Sequence, residues 1–224
     1  MTGSSGYAPP AFVGAIRLDL SKNEGRAPCG LDLIRSVAGL SELARYPDLK
    51  ELQSALAATY GVSAERVLVT AGADDALLRL CLLQLRRTNG EAKKRALVAA
   101  PTFEMIPRYV GVAGGDLVTV PWPSGAFPTD ALLAAASEHT SLVVVVSPNN
   151  PTGAIATYAD VARIARGLPN ACVVLDAAYA EYGGEDLVSE VQRLPNVVVV
   201  RTLSKAWGLA GLRVGCAIAS ADVL

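Results

Sequence analysis

Short apolar runs rich in β-branched residues alternate along the chain with longer stretches in which apolar positions return every three to four residues. Runs of the first kind occupy 67–70, 96–100, 117–120, 142–146, 172–175, 197–201 and 213–219. Their near-continuous apolarity predicts strands buried on both faces. Stretches of the second kind predict helices over 49–60, 73–87, 103–112, 129–137 and 158–167, each with one face to lay on a sheet. Punctuation agrees: Thr129 and Thr157 can cap helix starts, Gly61 and Gly167 can end helices, and Pro169 and Pro195 mark turns just before strands. The alternation predicts an α/β protein, a three-layer α/β/α sandwich around a mainly parallel seven-stranded sheet. Residues 1–40, with Pro9-Pro10, Gly14, Gly25, Pro28 and Gly30, read as an irregular N-terminal arm wrapping over the main domain (41–224) or a partner.

Composition narrows the classes. The 224 residues are 51% hydrophobic, which excludes disorder and fits one core-forming domain, or one large domain plus a fragment. Twenty Lys and Arg balance 21 Asp and Glu, and no basic run exceeds Lys93-Lys94-Arg95, so neither nucleic acid nor an anionic membrane is an expected partner. The apolar runs fall far short of the roughly 20 residues needed to span a bilayer. The opening Met-Thr-Gly-Ser-Ser-Gly shows no secretory pattern, and the expected location is cytoplasmic. Cys29, Cys81, Cys172 and Cys216 lack C-x-x-C spacing and His139 is the single histidine, so free thiols are expected and a zinc site is not.

In open α/β sheets the ligand lies beyond the carboxyl ends of the strands. Five successive exits supply polar or aromatic groups there: Ala71-Gly72-Ala73-Asp74-Asp75, Pro101-Thr102-Phe103, Ser147-Pro148-Asn149-Asn150-Pro151-Thr152-Gly153, Asp176 with Tyr179, and Thr202-Leu203-Ser204-Lys205. The lysines are Lys22, Lys50, Lys93, Lys94 and Lys205, so Lys205 stands alone in the second half, between a buried strand and the small-residue run Ala206-Trp207-Gly208-Leu209-Ala210. A lysine desolvated there suits Schiff-base chemistry; the plainer reading is a snorkelling lysine at a strand end. Asp176 ends an apolar strand and needs a cationic partner, which a protonated cofactor ring nitrogen or Arg213 would supply. The turn before Ala73 and Asp74 offers free N–H groups and a helix dipole to a phosphate, and Thr202, Ser204 and Arg213 can add to the same anion. Neither G-x-x-x-x-G-K-[ST] nor G-x-G-x-x-G is present, no G-x-S-x-G elbow starts a serine triad, and Trp122 and Trp207 read as packing residues.

These segments, together with Arg45-Tyr46-Pro47-Asp48, Tyr60-Gly61-Val62, Asp176-Ala177-Ala178-Tyr179 and the run from Thr202 to Gly215, resemble in order and spacing the fold-type I pyridoxal-phosphate aminotransferases, closest to the histidinol-phosphate aminotransferase group. The likeness extends from about Leu20 onward. It implies the large domain of that fold over 41–224, pyridoxal 5'-phosphate as cofactor, and transfer of an amino group between an amino donor and a 2-oxo acid, or imidazole-acetol phosphate if the histidinol-phosphate likeness holds. It further implies that Lys205 bonds the cofactor and moves the substrate Cα proton, and that Asp176 keeps the ring nitrogen protonated. Asn150 and Tyr179 would hold the ring 3′-oxygen and Phe103 the ring face. Ala73, Asp74, Thr202, Ser204 and Arg213 would surround the phosphate. Tyr46 resembles the tyrosine that reaches the phosphate of the neighbouring subunit, which implies a homodimer with shared sites in amino-acid biosynthesis.

The chain departs from the family pattern in three places. Ala177 stands where the family carries glutamate, the segment 20–26 matches the substrate-covering N-x-N-E-N-P only at Asn23-Glu24, and the small C-terminal domain with its carboxylate-binding arginine is expected to be absent. Aromatic amino-acid aminotransferases and threonine-phosphate decarboxylase share the cofactor motifs and remain alternatives for the activity. A truncated non-catalytic homologue acting as a dimerisation module is another, and a nicotinamide enzyme lacks its glycine fingerprint.

Overall fold

The computed structural model describes residues 23–25, 46–86, 92–183, 187–191 and 193–223. Most of the expected arm, Cys29 and Arg45 lie outside them. Among the described residues the order is α1 (Lys50–Thr59), a 3-10 turn at Ala64–Arg66, β1 (Val67–Thr70), α2 (Ala73–Leu85), β2 (Arg95–Ala100), α3 (Met105–Val112), β3 (Asp116–Pro121), α4 (Thr129–Ala135) and β4 (Thr140–Val146). There follow α5 (Tyr158–Gly167), β5 (Cys172–Asp176), α6 (Ala180–Gly183), α7 (Val188–Val191), β6 (Val197–Thr202), a 3-10 turn at Ala210–Leu212 and β7 (Gly215–Ile218).

The strands form one sheet in the order β1-β7-β6-β5-β4-β2-β3. β3, β2, β4, β5 and β6 are mutually parallel, and β7 runs antiparallel to both β6 and β1. The expectation of a mainly parallel sheet therefore holds, with β7 as the exception. Side chains alternate across each strand. Leu97, Val143, Val145, Val173, Leu175, Val197 and Val199 face a core shared with α1, α4, α5 and α7. Ala96, Val98, Val144, Val146, Val174, Val198 and Val200 face the core under α2 and α3. Two cores on one sheet give the three layers.

This parity decides where the polar ends of the strands go. Asp176 and Thr202 continue the rows of Val174 and Val200 and so emerge on the α2 face, whereas Arg201 continues the row of Val199 toward the α1 face. Register places Thr70, Gly215 and Thr202 side by side, so the start of α2 and the end of β6 share one edge of the sheet.

Two expected details are corrected. Thr129 is the first residue of α4 rather than its cap, and its hydroxyl donates to Asp160 Oδ1 at 2.7 Å. Thr157 does cap α5: it accepts from the Asp160 N–H while Asp160 accepts from the Thr157 N–H, a reciprocal capping box. The last strand begins at Gly215, so Arg213 precedes it, in the left-handed region at φ 52°. Cys81, Cys172 and Cys216 are buried free thiols, all pushed up by burial, Cys81 to about 11. Among the described residues no helix is long and apolar enough to cross a membrane.

Candidate active site

A cavity of about 610 Å³ opens at the carboxyl edge of the sheet between β4, β5, β6 and the start of α2. Ten of the expected residues sit at its wall: Ala73, Asp74 and Phe103 from one side, Asn150, Asp176 and Tyr179 from the floor, and Thr202, Ser204, Lys205 and Arg213 from the other. Tyr46 is fully exposed and does not line the cavity.

At one end the walls are built for an anion. Gly72 precedes α2 at φ +82°, and a Cβ there would come within 2.7 Å of Arg213 Nη2, so glycine lets the guanidinium close on the helix start. The first N–H groups of α2 have no partner within the helix and carry its positive end. Gly215 is equally constrained, since a Cβ would meet the Gly72 carbonyl carbon at 2.6 Å and the Ala73 nitrogen at 2.9 Å. Thr202 Oγ1 donates to Ser204 Oγ at 3.0 Å and accepts from the Ser204 N–H at 3.2 Å, and Arg213 Nη1 reaches Ser204 Oγ at 3.5 Å. Arg213 also donates to the Ala71 and Ala210 carbonyls and lies 3.8 Å from Asp74 Oδ2. It therefore pairs with Asp74, and the alternative of an Arg213–Asp176 pair is excluded.

At the other end Asp176 is 4% exposed. Its Oδ1 accepts from the Ala178 N–H at 3.1 Å. Burial pushes its carboxyl up to about 6, with the Ala178 N–H opposing, nearby Asp74 adding and Lys205 opposing. Lys205 Nζ lies 5.7 Å from the centroid of the Tyr179 ring, and Tyr179 Oη accepts from Asn23 Nδ2 at 3.1 Å. Asn149 and Asn150 divide their work. Asn149 is buried and donates to the Pro101 carbonyl and to Thr152 Oγ1, fastening its loop, which leaves Asn150 to face the cavity.

Sequence reasoning did not single out Tyr109, whose hydroxyl donates to Asp74 Oδ1 at 2.9 Å from the cavity wall, so burial followed by Asp74 raises its pKa. Its position among Ile106 and Val110 on the apolar face of α3 reads as core. Thr102 Oγ1 is buried at the same wall without a hydrogen-bond partner. The expected packing role of Trp122 holds, with its ring edge-on to Phe127 at 4.8 Å. Trp207 departs from it: its indole is 43% exposed and Nε1 donates to Glu181 Oε1 at 3.0 Å.

One cavity of this α/β fold thus brings together the start of α2 with Arg213, a buried carboxylate and a lysine. The chain belongs to the family of class I and II aminotransferases, whose model matches residues 19–224. It is 39% identical to an aromatic amino acid aminotransferase of Nocardia farcinica, over 94% of this chain and 60% of that protein. It is 35% identical to a histidinol-phosphate aminotransferase of Ruegeria pomeroyi, over 92% of this chain and 58% of that one. The structure matches the histidinol-phosphate aminotransferase of Sinorhizobium meliloti solved with pyridoxal-5'-phosphate, with a TM-score of 0.78 and 30% identity, covering 90% of this chain and 56% of that one. The chain thus spans about 60% of the length of the curated relatives it matches.

Proposed function

We propose that residues 41–224 form a pyridoxal 5'-phosphate-binding domain and that the chain serves amino-group transfer between an amino donor and a 2-oxo acid. The observation that carries this reading is the pairing, across one cavity, of an anion cup at the start of α2 with the buried Asp176 carboxylate. The unpartnered Thr102 hydroxyl at the wall fits the same ligand. Bound there, the cofactor supplies an electron sink for a carbanion formed at the substrate Cα.

The chain's residues then divide the work. Ala73 and Asp74 through their N–H groups, with Thr202, Ser204 and Arg213, bind the phosphate. Asp176 keeps the ring nitrogen protonated, Asn150 and Tyr179 hold the 3′-oxygen, and Phe103 covers a ring face. Lys205 Nζ would hold the cofactor at rest and, once the amino donor has displaced it as a free amine, would be the base that moves the proton at Cα. Asn23, hydrogen-bonded to Tyr179, lines the cavity with Glu24. The protein acts as a cytoplasmic homodimer in amino-acid biosynthesis, with Tyr46 reaching the partner's phosphate. Histidinol phosphate and aromatic amino acids are the donors to test first, because relatives of both names match, at 39% identity for an aromatic amino acid aminotransferase and 35% for a histidinol-phosphate aminotransferase.

The deciding experiment is a titration with pyridoxal phosphate followed by visible absorption, before and after borohydride reduction, on the wild type and Lys205→Ala. The expected result is a band that reduction fixes covalently to Lys205 and that the variant lacks. A folded sample that binds no cofactor would overturn the reading and leave a non-catalytic homologue.

A further inference from the structure

Outside the cavity, one carboxylate oxygen joins the two loops that deliver Tyr179 and Lys205. Glu181 Oε1 accepts from Arg201 Nη2 at 2.8 Å and from Trp207 Nε1 at 3.0 Å. Glu181 follows Tyr179 by two residues, and Arg201 and Trp207 stand on either side of Lys205 in the chain. None of the three lines the cavity.

The anchor of this arrangement is Arg201. It is 3% exposed on the α1 side of the sheet, and its guanidinium carbon lies 4.8 Å from the centroid of the Tyr60 ring. A stacked, planar guanidinium presents its N–H groups in fixed directions, so it sets the position of the carboxylate it binds. That carboxylate in turn fixes the indole. Trp207 is substantially exposed, so burial does not account for where its ring sits, whereas a hydrogen bond to an ionised acceptor does. Among the described residues the same turn is closed by the Gly208 N–H to the Lys205 carbonyl and the Leu209 N–H to the Leu203 carbonyl, both 3.0 Å.

We propose that Glu181, oriented by Arg201, is a positioning residue that holds the Lys205 turn through Trp207 Nε1 and so keeps Lys205 Nζ beside Tyr179. The functional weight of this brace rests on the reading of Lys205 given above.

Replacing Glu181 by Ala would leave a buried guanidinium without that carboxylate and endanger the fold, so Trp207→Phe carries the test: it keeps an aromatic ring at this exposed position and removes the N–H donor. The whole chain, without added cofactor, is acetylated with an N-hydroxysuccinimide ester, and the rate at each lysine is read by mass spectrometry. Lys205 is expected to react about fivefold faster in Trp207→Phe, the factor set by losing one hydrogen bond. Lys50 and Lys93 should keep their rates, and the melting temperature should stay within about 2 °C. An unchanged Lys205 rate overturns the proposal, and so does a general acceleration at all lysines, which would mean loosening of the whole fold. Because the readout needs no cofactor, failure of the chain to bind pyridoxal phosphate would count against the proposed function and leave the brace still measured.

Discussion

Burial lifts the Asp176 carboxyl from an ordinary 3.8 to about 6, and this has a consequence for the protein without its cofactor. A carboxyl raised on folding stabilises the fold below its unfolded value and withdraws that contribution as pH climbs through the folded one. Stability should therefore fall between about pH 4 and 6, by about 2 to 3 kcal/mol for a shift of this size. Asp176→Asn removes the ionisation while keeping an acceptor for the Ala178 N–H. In urea unfolding without cofactor the variant should be the more stable protein near pH 7.5, and the two should converge near pH 4. A difference independent of pH would show that the carboxyl is not the cause. At this scale the sequence was informative where chemistry needs a particular residue at a strand end. Asp176, Lys205 and Thr202 were legible because a polar group directly after an apolar run must face the sheet edge. Tyr109 and Glu181 were not, because one is spaced like core and the other like a surface helix residue; only folding brings them to Asp74 and Arg201.

Two helix starts of the same class do different work, and substitutions should separate them. The capping box of α5 serves the fold alone, so Thr157→Ala should cost about 1 kcal/mol in chemical unfolding and leave cofactor affinity unchanged. The start of α2 depends on Gly72 at φ +82° and on the space that lets Arg213 approach. Gly72→Ala strains the backbone by about 1 to 3 kcal/mol and displaces the guanidinium. Its expected signature is a loss of pyridoxal phosphate affinity of about tenfold, seen in absorbance titration. Equal affinity in the variant and wild type would remove the anion-cup role from this turn. The seven strands and five long helices were readable from periodicity because each is long enough to repeat its pattern. Their ends agree to within two residues, and α6 and α7 escaped notice because each spans only 4 residues, close to a single helical turn. Thr129 misled for a local reason: its hydroxyl finds Asp160 across a helix pair, a contact no window of neighbouring residues contains.

For the whole molecule, the alternation of strand and helix carried the architecture, but strand order and the reversal of β7 lay beyond it, since apolar runs do not encode partners. That reversal shapes the cavity: by running antiparallel between β1 and β6, β7 aligns Thr70 with Thr202 through Gly215 and so brings the start of α2 beside the end of β6. Tyr46 raises the next level of organisation. It is fully exposed, and it does not line the cavity of its own chain. In the proposed homodimer its expected hydrogen bond to a cofactor phosphate would be made in a second copy, and cofactor affinity would be a property of the dimer. Sedimentation should show a dimer at the concentrations used for binding. There, Tyr46→Phe should weaken pyridoxal phosphate by about fivefold, the weight of one hydrogen bond. On dilution the wild type should lose affinity down to the level of the variant as dimers dissociate, while the variant, which has no such bond to lose, stays constant. Unaltered affinity of Tyr46→Phe in a sample shown to be dimeric would remove the shared site, and with it the reason for this exposed tyrosine to face a partner.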